Sequence, residues 1–450
     1  MERTVETVRI LPTKRTVKRW GIGLAILLGV LLVVNGILAW RTETRFRRVI
    51  AAIRAEGDPA SIAELKPAPI PDEHNAAAHI DKLTPRLEEF SREYGRFYKT
   101  DLGKTLDDLS VGDRPNAEQI AGMRAILDKY TDLEQMIAAA AACPEYASTA
   151  DFSLGFNRFL EAQLPRLSRI RDIARMVDWR VKVLVADEQR DEAVQRVFDV
   201  LRLARLSESE PSIVSFLIST AVRGVALHDL HYALSAGPVR PETYDEIERT
   251  LQELDQPGKF EKALRTERAL SVSASLEQAW ENTPYLGWLV WPVRRYYIGP
   301  LELYDRLLPV ADRSYSEIKK LFAPGGQFAA PTDRGVLADL LTPALEAGFV
   351  AANRDIAMIR VMRVYNALKQ FAVKNGREAN GLGDLALPAE ATTDPFTGQP
   401  LIARHTDAGW AVYSVGSDGV DDGGSFEKAK DFGFGPPLPA EAIEPAPAAR

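Results

Sequence analysis

Three carboxylates stand close together near the C-terminus, in a segment rich in glycine. Asp418, Asp421 and Asp422 lie within five residues of one another. Ca²⁺ takes six to eight oxygen ligands, and neighbouring carboxylates repel one another unless a cation or hydrogen-bond donors compensate them. The segment therefore predicts either a calcium-binding loop or a plain turn in which the carboxylates are solvated or bind their own backbone. It is not an EF-hand, because Val420 and Ala429 occupy the third and twelfth positions counted from Asp418.

Elsewhere the spacing of reactive side chains gives little support for catalysis. His228 and His231 share a helix face, as two metal ligands would, but no HExxH motif surrounds them, which favours satisfied or surface histidines. Ser316 and Lys319 have the spacing of a serine acyltransferase dyad without its accompanying elements, which favours a solvated helix face. The sequence has no Gly-x-Ser-x-Gly, Walker loop, dinucleotide fingerprint or CxxC motif. We therefore expect the protein not to be an enzyme.

Residues 280–297 concentrate aromatic and arginine side chains. Trp288, Trp291, Arg294 and Arg295 are the candidates for a ligand or partner groove. Such a cluster can line a groove, dock onto lipid headgroups or form a partner hot spot. Large side chains that close the core of a helical bundle are the simpler interpretation. A small-ligand binder or enzyme that uses this cluster remains an alternative.

Residues 20–40 read as one transmembrane helix. They carry no charge, Asn35 is the one strongly polar residue, and Trp20 and Trp40 stand at the two ends. About 20 apolar residues at 1.5 Å rise span a hydrocarbon core of about 30 Å, and tryptophan prefers its boundaries. The alternatives are a cleaved signal peptide and a buried core helix, but the run is longer than a usual signal h-region and the possible cleavage site is weak. We expect an uncleaved anchor.

The charges beside this helix leave its orientation nearly balanced. Basic residues precede and follow the span in similar number, so the positive-inside rule decides little. We expect the C-terminal segment, with its candidate calcium loop, to lie outside the cytoplasm. We therefore expect residues 1–19 to form a cytoplasmic basic tail, and the rest to lie in the periplasm beside a bacterial inner membrane.

The region after the anchor has the 3.6-residue period of amphipathic helices. Apolar residues recur at steps of three or four in successive segments between Leu167 and Leu234, and again from Ile356 to Phe371, where Asn375-Gly376 ends the pattern. The predicted fold is mainly α. It consists of the transmembrane helix, an irregular helical bundle or short solenoid over residues 41–334, and a small C-terminal α+β module over residues 335–426.

The C-terminal module begins with a long helix and continues with a β-hairpin. Leu401–His405 and Trp410–Val415 read as two short strands around a turn at residues 406–409. An acidic, glycine-rich loop follows. The last segment, 427–450, is rich in proline and alanine and is predicted to be a disordered tail.

This module resembles the C-terminal half of the major pseudopilin of type II secretion systems. The resemblance covers about sixty residues and rests on a helix that ends in an Asn-Gly turn, a Gly-Leu-x-x-Leu segment, Asp394-Pro395-Phe396 with Gly398 and Pro400-Leu401, a hairpin, and Tyr413-Ser414-x-Gly416-x-Asp418-Gly419 with Gly423-Gly424. The whole chain also resembles large membrane-anchored proteins from planctomycete-type bacteria. Those often carry a PDExNAA-like segment near the start of the helical body, here Pro71 to Ala77.

The pseudopilin resemblance implies a calcium loop with a β-hairpin fold. It implies that Asp418 is a carboxylate ligand and that the carbonyl of Val415 is a backbone ligand. The second family aspartate falls on Ser425 in this chain, so Asp421 or Asp422 would have to replace it. Unlike in a pseudopilin, the apolar helix lies some 300 residues upstream of the module. Asp394 is expected to cap a turn.

Composition limits the remaining possibilities. The chain has 450 residues, 46% of them hydrophobic, and a formal net charge of −7 from 56 Lys and Arg against 63 Asp and Glu. No global basic field favours nucleic acid as a partner. Its one cysteine, Cys143, cannot form an intramolecular disulfide.

These observations predict a single-pass, membrane-anchored scaffold or interaction protein with a calcium-stabilised loop. Its expected partners are the lipid bilayer and an unidentified protein. An accessory component of a type II secretion or pilus-like system, with a pilin-like partner, is an alternative.

Overall fold

Helices dominate the computed structural model, and a small antiparallel sheet lies near the C-terminus. This confirms the predicted mainly α class. The parts of the chain that the structure describes are residues 14–107, 109, 113–256, 258–281, 290–311, 313–328, 336–424, 426 and 431–436. The helices are, in chain order, α1 (Lys14–Ala55), α2 (Ala76–Phe97), α3 (Asp101–Asp107), α4 (Ala117–Leu127), α5 (Thr131–Ala141), α6 (Phe156–Ala186), α7 (Arg190–Ser207), α8 (Ile213–Ser235), α9 (Pro241–Leu254), α10 (Lys259–Glu281), α11 (Val290–Leu307), α12 (Tyr315–Phe322) and α13 (Val336–Asn375).

Helix α1 is a single helix of 42 residues with two different parts. From Trp20 to Trp40 its large apolar side chains, except that of the half-buried Leu38, are 46–77% exposed, and the helix is long and apolar enough to span a membrane. Beyond Trp40 it enters the body, where Phe46 and Ile53 are buried. Helix α8, with 23 residues, is also long and apolar enough to span a membrane, but half of its apolar stretch is buried inside the body.

The centre of the body is formed by α6, α7 and α8, which pack against one another. Trp179 of α6 is fully buried, with aromatic rings of α2 around it, and α7 buries an almost continuous apolar face from Ala193 to Ala204. The period-3.6 patterns therefore correspond to real buried faces. The connections are short, as expected for a helical bundle.

Helix α13 is a central helix of the molecule. One side of it packs against α8, α9 and α11, and β2 and β3 of the sheet described below cover another side. The sequence pattern predicted one buried stripe that includes Ile359, Met362 and Tyr365; these are buried, and so are Met358, Val361 and Val364 between them. A helix covered on two sides needs this wider apolar surface.

A fully buried arginine joins α13 to the body. Arg223 of α8 is 0% exposed and donates to Asp355 of α13 through Nε (2.7 Å) and Nη2 (2.8 Å). Its Nη1 lies 2.7 Å from Oε1 of Glu208, and Lys259 approaches the same oxygen at 3.7 Å. These charges leave water only because they pair with one another.

The sheet has the order β1-β2-β3, with β1 (Ile402–Thr406), β2 (Gly409–Ser414) and β3 (Phe432–Phe434) all antiparallel to their neighbours. The β1–β2 hairpin confirms the two predicted strands and their turn. Trp410, Val412, Phe432 and Phe434 belong to the same hydrophobic core as α2–α9 and α13. The expected boundary at residues 334–335 therefore does not divide the core.

Strand β3 corrects the predicted disordered tail. The tail was expected to begin at residue 427, but residues 431–436 are ordered and Phe432 and Phe434 are 8% and 3% exposed. The physical reason is the alternation Phe-Gly-Phe, which buries both rings on α13 while Gly433 lets the backbone approach Val412 closely. Proline and alanine further along the segment outweighed this short signal in the sequence.

Candidate functional site

The acidic loop, residues 415–424, follows β2 directly and turns back towards β3. Gly423 and Gly424 both have left-handed backbone conformations, with φ of 74° and 72°. Successive positive φ values are accessible to glycine at little cost. They direct the backbone N–H of Gly424 and of Asp422 towards the buried carboxylate of Asp431, at 2.8 Å and 3.5 Å.

Asp421 binds both the hairpin and its own loop. Arg404 of β1 donates to its Oδ2 at 2.6 Å, and the hydroxyl of Tyr413 and the N–H of Gly423 donate to its Oδ1 at 3.0 Å and 2.9 Å. An arginine thus compensates the acidic loop locally. The carboxylate of Asp421 therefore links the loop to the β1–β2 hairpin.

The other predicted ligands lie at different depths. Asp418 is exposed, and its Oδ1 accepts the N–H of Val420 at 3.0 Å, which is the local turn expected of an isolated aspartate. Val415 is buried, and its N–H donates to Asp394 at 3.2 Å. Asp422 is partly buried. Among the described residues, no three side chains of His, Cys, Asp or Glu are grouped so that they could hold a metal ion.

Asp394 has a structural role, as its place before Pro395 predicts. Its Oδ1 accepts the N–H of Phe396 at 2.8 Å, its Oδ2 accepts the N–H of Val415, and it is 2% exposed. Burial raises its pKa. It joins the Asp-Pro-Phe turn to the start of the acidic loop.

Asp431 is a fourth carboxylate at the loop, and it comes from the segment that the sequence predicts to be a disordered tail. Asp431 is 1% exposed. Burial first, and then the nearby charges of Asp421 and Asp422, raise its pKa to about 6, although two backbone N–H groups oppose the shift. Its signal in the sequence was the phenylalanine that follows it and begins β3.

The raised pKa of Asp431 predicts a pH effect on stability. An aspartate whose folded pKa of about 6 lies above its ordinary value of 3.8 stabilises the fold fully below that ordinary value, and this contribution is lost as the pH rises towards 6. We expect Asp431 to make the fold about 1 kcal/mol more stable at pH 5 than at pH 7. Urea unfolding of the full chain and of Asp431→Asn at both pH values measures the difference, with the exposed Asp407→Asn as the control. An equal pH response in all three proteins would contradict it.

The predicted aromatic groove lies mostly where side chains are not described. Trp288 lies outside the described residues, and so do the side chains of Trp291 and Arg294, although residues 290–307 form α11. Arg295 is exposed. A large open pocket in the described part, of about 690 Å³, lies elsewhere, with its lining drawn from residues 61–63, 152–158 and 273–277. Glu277 in that lining accepts the N–H of Phe156 at the start of α6.

The histidine pair packs against the C-terminal sheet. The ring of His231 stacks on Phe434 at 5.1 Å and meets Tyr365 edge to face at 4.8 Å, and His228 meets Phe434 at 5.1 Å. Burial lowers the pKa of His231 to about 3. Both rings thus form part of the contact between α8 and β3.

Lys319 and Ser316 bind different partners in this arrangement. The ammonium group of Lys319 donates to the carbonyl oxygen of Ser417 at 2.6 Å, whereas the hydroxyl of Ser316 lies 3.2 Å from that of Ser314. Lys319 is exposed, as predicted, and it also joins α12 to the acidic loop.

The PDExNAA-like segment has a structural role at the start of α2. Asn75 is 4% exposed and caps α2 by accepting the N–H of Ala77 at 3.0 Å. The same side chain accepts the N–H of Ala147 at 3.0 Å and donates to its carbonyl at 2.9 Å. Ala76 and Ala77 are buried behind it. One amide side chain therefore fixes the start of α2 and the segment after α5.

No family model matches the chain, and neither the curated proteins nor the solved structures give a significant match. The pseudopilin resemblance therefore rests on the motif residues themselves.

Proposed function

We propose that the protein is a single-pass, membrane-anchored interaction or scaffold protein of a bacterial inner membrane, with its helical body in the periplasm. The observation that carries the proposal is α1, whose exposed apolar segment from Trp20 to Trp40 continues without a break into the body. Exposing an apolar segment of this length to water is energetically unfavourable, and the segment is long enough to cross a bilayer instead.

The packing of α1 supports an anchor that is retained. Phe46 and Ile53 share a buried cluster with Val272, Ile298 and Leu301. Arg45 donates to Glu302 through Nε at 3.0 Å. Because α1 runs without a break from the exposed apolar segment into this cluster, the span and the body are joined by one continuous helix.

The buried charges support a scaffold because they join helices. Arg223 pairs with Asp355 and Glu208, and Arg363 of α13 pairs with Glu248 and Asp255 near α9. Each of these groups is used to hold one helix to another. The interpretation of residues 280–297 as a small-ligand or enzyme site stays a prediction.

The orientation is tested by a reporter at the C-terminus. We expect alkaline phosphatase fused after Arg450 to be active in cells and a green fluorescent protein at the same position to be dark, because the phosphatase needs the disulfides that an oxidising periplasm allows. The opposite pattern would place the body in the cytoplasm and contradict this part of the proposal.

An accessory role in a type II secretion or pilus-like system is the second candidate. The observation that favours it is the contact of α13 with β2 and β3, a helix against an antiparallel sheet as the pseudopilin resemblance implies. Site-specific cross-linking from exposed Val420 of the full chain to a pilin-like protein would support it. Cross-linking that is equal from exposed Leu164 would contradict it.

We propose calcium as a ligand of the acidic loop, held by the Val415 carbonyl, Asp418 and Asp422. The loop carries three carboxylates, the buried Asp431 lies beside it, and Arg404 already pairs with Asp421. The described side chains do not converge on one point, so binding requires a rearrangement of the loop. We expect weak affinity, with a Kd of about 10⁻⁴–10⁻³ M.

This calcium proposal predicts a shift in stability. At about 10 mM calcium, such a Kd stabilises the native state by about 1–3 kcal/mol. Thermal unfolding of the full chain in detergent, with calcium, magnesium or chelator, measures the shift. Asp418→Ala should abolish it, and Asp407→Ala, an exposed aspartate in the hairpin turn, should keep it. No calcium response in the unmodified chain would mean that Arg404 and the backbone alone hold the loop.

A further inference from the structure

We propose that the start of α11 lies on the same bilayer that α1 spans and gives the body a second contact with lipid headgroups. The inference rests on the proposed function, because it needs α1 in a membrane. It concerns the orientation of the body, which a single span does not fix.

The first step is the contact between α1 and α11. Phe46 of α1 and Ile298 and Leu301 of α11 are each at most 2% exposed and share one cluster. Phe46 follows Trp40 by six residues, about 9 Å along the helix. Helix α11 therefore lies beside α1 close to the end of its exposed apolar segment.

The second step is the direction of α11. Glu302 pairs with Arg45, whereas Asp305, one turn later, shares Arg268 with Asp58, which lies just beyond the end of α1. Going towards the C-terminus of α11 thus leads away from Trp40. The N-terminal end of α11 points back towards the membrane boundary.

The third step is a comparison of lengths. Val290 precedes Glu302 by twelve residues, about 18 Å of helix, whereas Trp40 precedes Arg45 by five, about 7.5 Å. If the two axes cross at about 50°, the commonest packing angle, α11 still extends about 12 Å along α1. At that angle the first turns of α11 reach the depth of Trp40.

The fourth step is the chemistry of this end. The sequence has no acidic residue between Glu281 and Glu302, and the first two turns of α11 contain Trp291, Arg294 and Arg295. Arg295 is exposed and Tyr296 is 39% exposed. Aromatic rings favour the headgroup region, and arginine favours anionic lipids.

The test uses the full chain with Cys143→Ala and one new cysteine, labelled with an environment-sensitive fluorophore, in vesicles that contain spin-labelled lipid. The vesicles are made from phosphatidylcholine with or without phosphatidylglycerol. The positions are Trp291→Cys and Arg295→Cys, with Trp40→Cys as the membrane reference and Val373→Cys as the distant one. Val373 is 49% exposed and lies near the C-terminal end of α13. Phe349, in the middle of α13, packs on Phe260 at the N-terminal end of α10, whereas the C-terminal end of α10, at Glu281, is the end that leads to α11.

We expect a blue shift and lipid quenching at Trp40, Trp291 and Arg295 and neither at Val373. Trp291 should be quenched more strongly than Arg295, because it lies one turn nearer the end of α11, and phosphatidylglycerol should strengthen both signals. Quenching at Trp40 with signals like those of Val373 at both α11 positions would overturn the inference and leave the anchor intact. Deeper quenching at Arg295 than at Trp291 would overturn the assigned direction. An unquenched Trp40 would overturn the anchor as well.

Discussion

Replacing Arg223 by alanine is expected to lower the free energy of unfolding by about 3–5 kcal/mol, because it leaves a buried charge without its partner. Asp355 would lose both hydrogen bonds to the guanidinium, while Glu208 would keep Lys259 nearby. The loss should appear as a lower urea midpoint of the full chain. Since Asp355 lies on α13, we expect the sheet β1-β2-β3, which packs on α13, to unfold in the same transition.

Another arginine–aspartate pair with two hydrogen bonds, at the surface, provides the control. Arg124 binds Asp187 through two hydrogen bonds of 2.7 Å, but both side chains are more than one third exposed. Arg124→Ala should cost at most about 1 kcal/mol. Replacing Arg223 and Asp355 together by methionine and leucine should recover much of the stability, because no buried charge is then left unpaired. Equal costs for the two single alanine variants would contradict the account.

Asn75→Ala is expected to cost about 2–4 kcal/mol, since it removes a helix cap and leaves buried backbone groups of Ala147 without partners. Asn75→Asp should be intermediate, because a carboxylate still accepts from Ala77 and Ala147 but cannot donate to the Ala147 carbonyl. Hydrogen exchange should locate the loss at α2 and at the segment after α5.

The cap of α4 is the matched control for Asn75. Asn116 accepts the N–H of Gln119 at 2.9 Å in a reciprocal capping box, but it is exposed and both bonds of this box stay within residues 116–119. Asn116→Ala should therefore cost about 1 kcal/mol. A cost for Asn75→Ala no larger than this would mean that the contact with Ala147 contributes nothing.

The elements that the sequence predicted best are those specified by local patterns. The charge-free run from Trp20 to Trp40, the apolar stripe through Met362 and the hairpin around residues 406–409 each depend on neighbours within a few residues. Strand β3 has only three residues, and its pairing with β2 depends on a chain reversal through the acidic loop. No local pattern of that length distinguishes a strand from a loop.

The candidate site was only partly predictable for the same reason. The sequence shows Asp418 and Asp421 as a cluster, but the partner of Asp421 is Arg404, 17 residues away, and Asp431 comes from the segment predicted to be a tail. The PDExNAA-like segment is recognisable as a motif in the sequence, but its structural role depends on Ala147, 72 residues from Asn75. Long-range partners of polar side chains follow from the fold rather than from spacing.

The measurement that tests the central claim most directly is the extraction of cell membranes with alkaline carbonate. We expect the full chain to stay with the lipid. A variant with Leu27→Arg and Leu31→Arg should be released, because each arginine near the centre of a span costs about 2.5–3.5 kcal/mol on insertion. The matched control with Leu164→Arg and Val373→Arg, which changes exposed leucine and valine in the body, should stay with the membrane. Release of the unmodified chain would contradict the anchor and, with it, the proposed function.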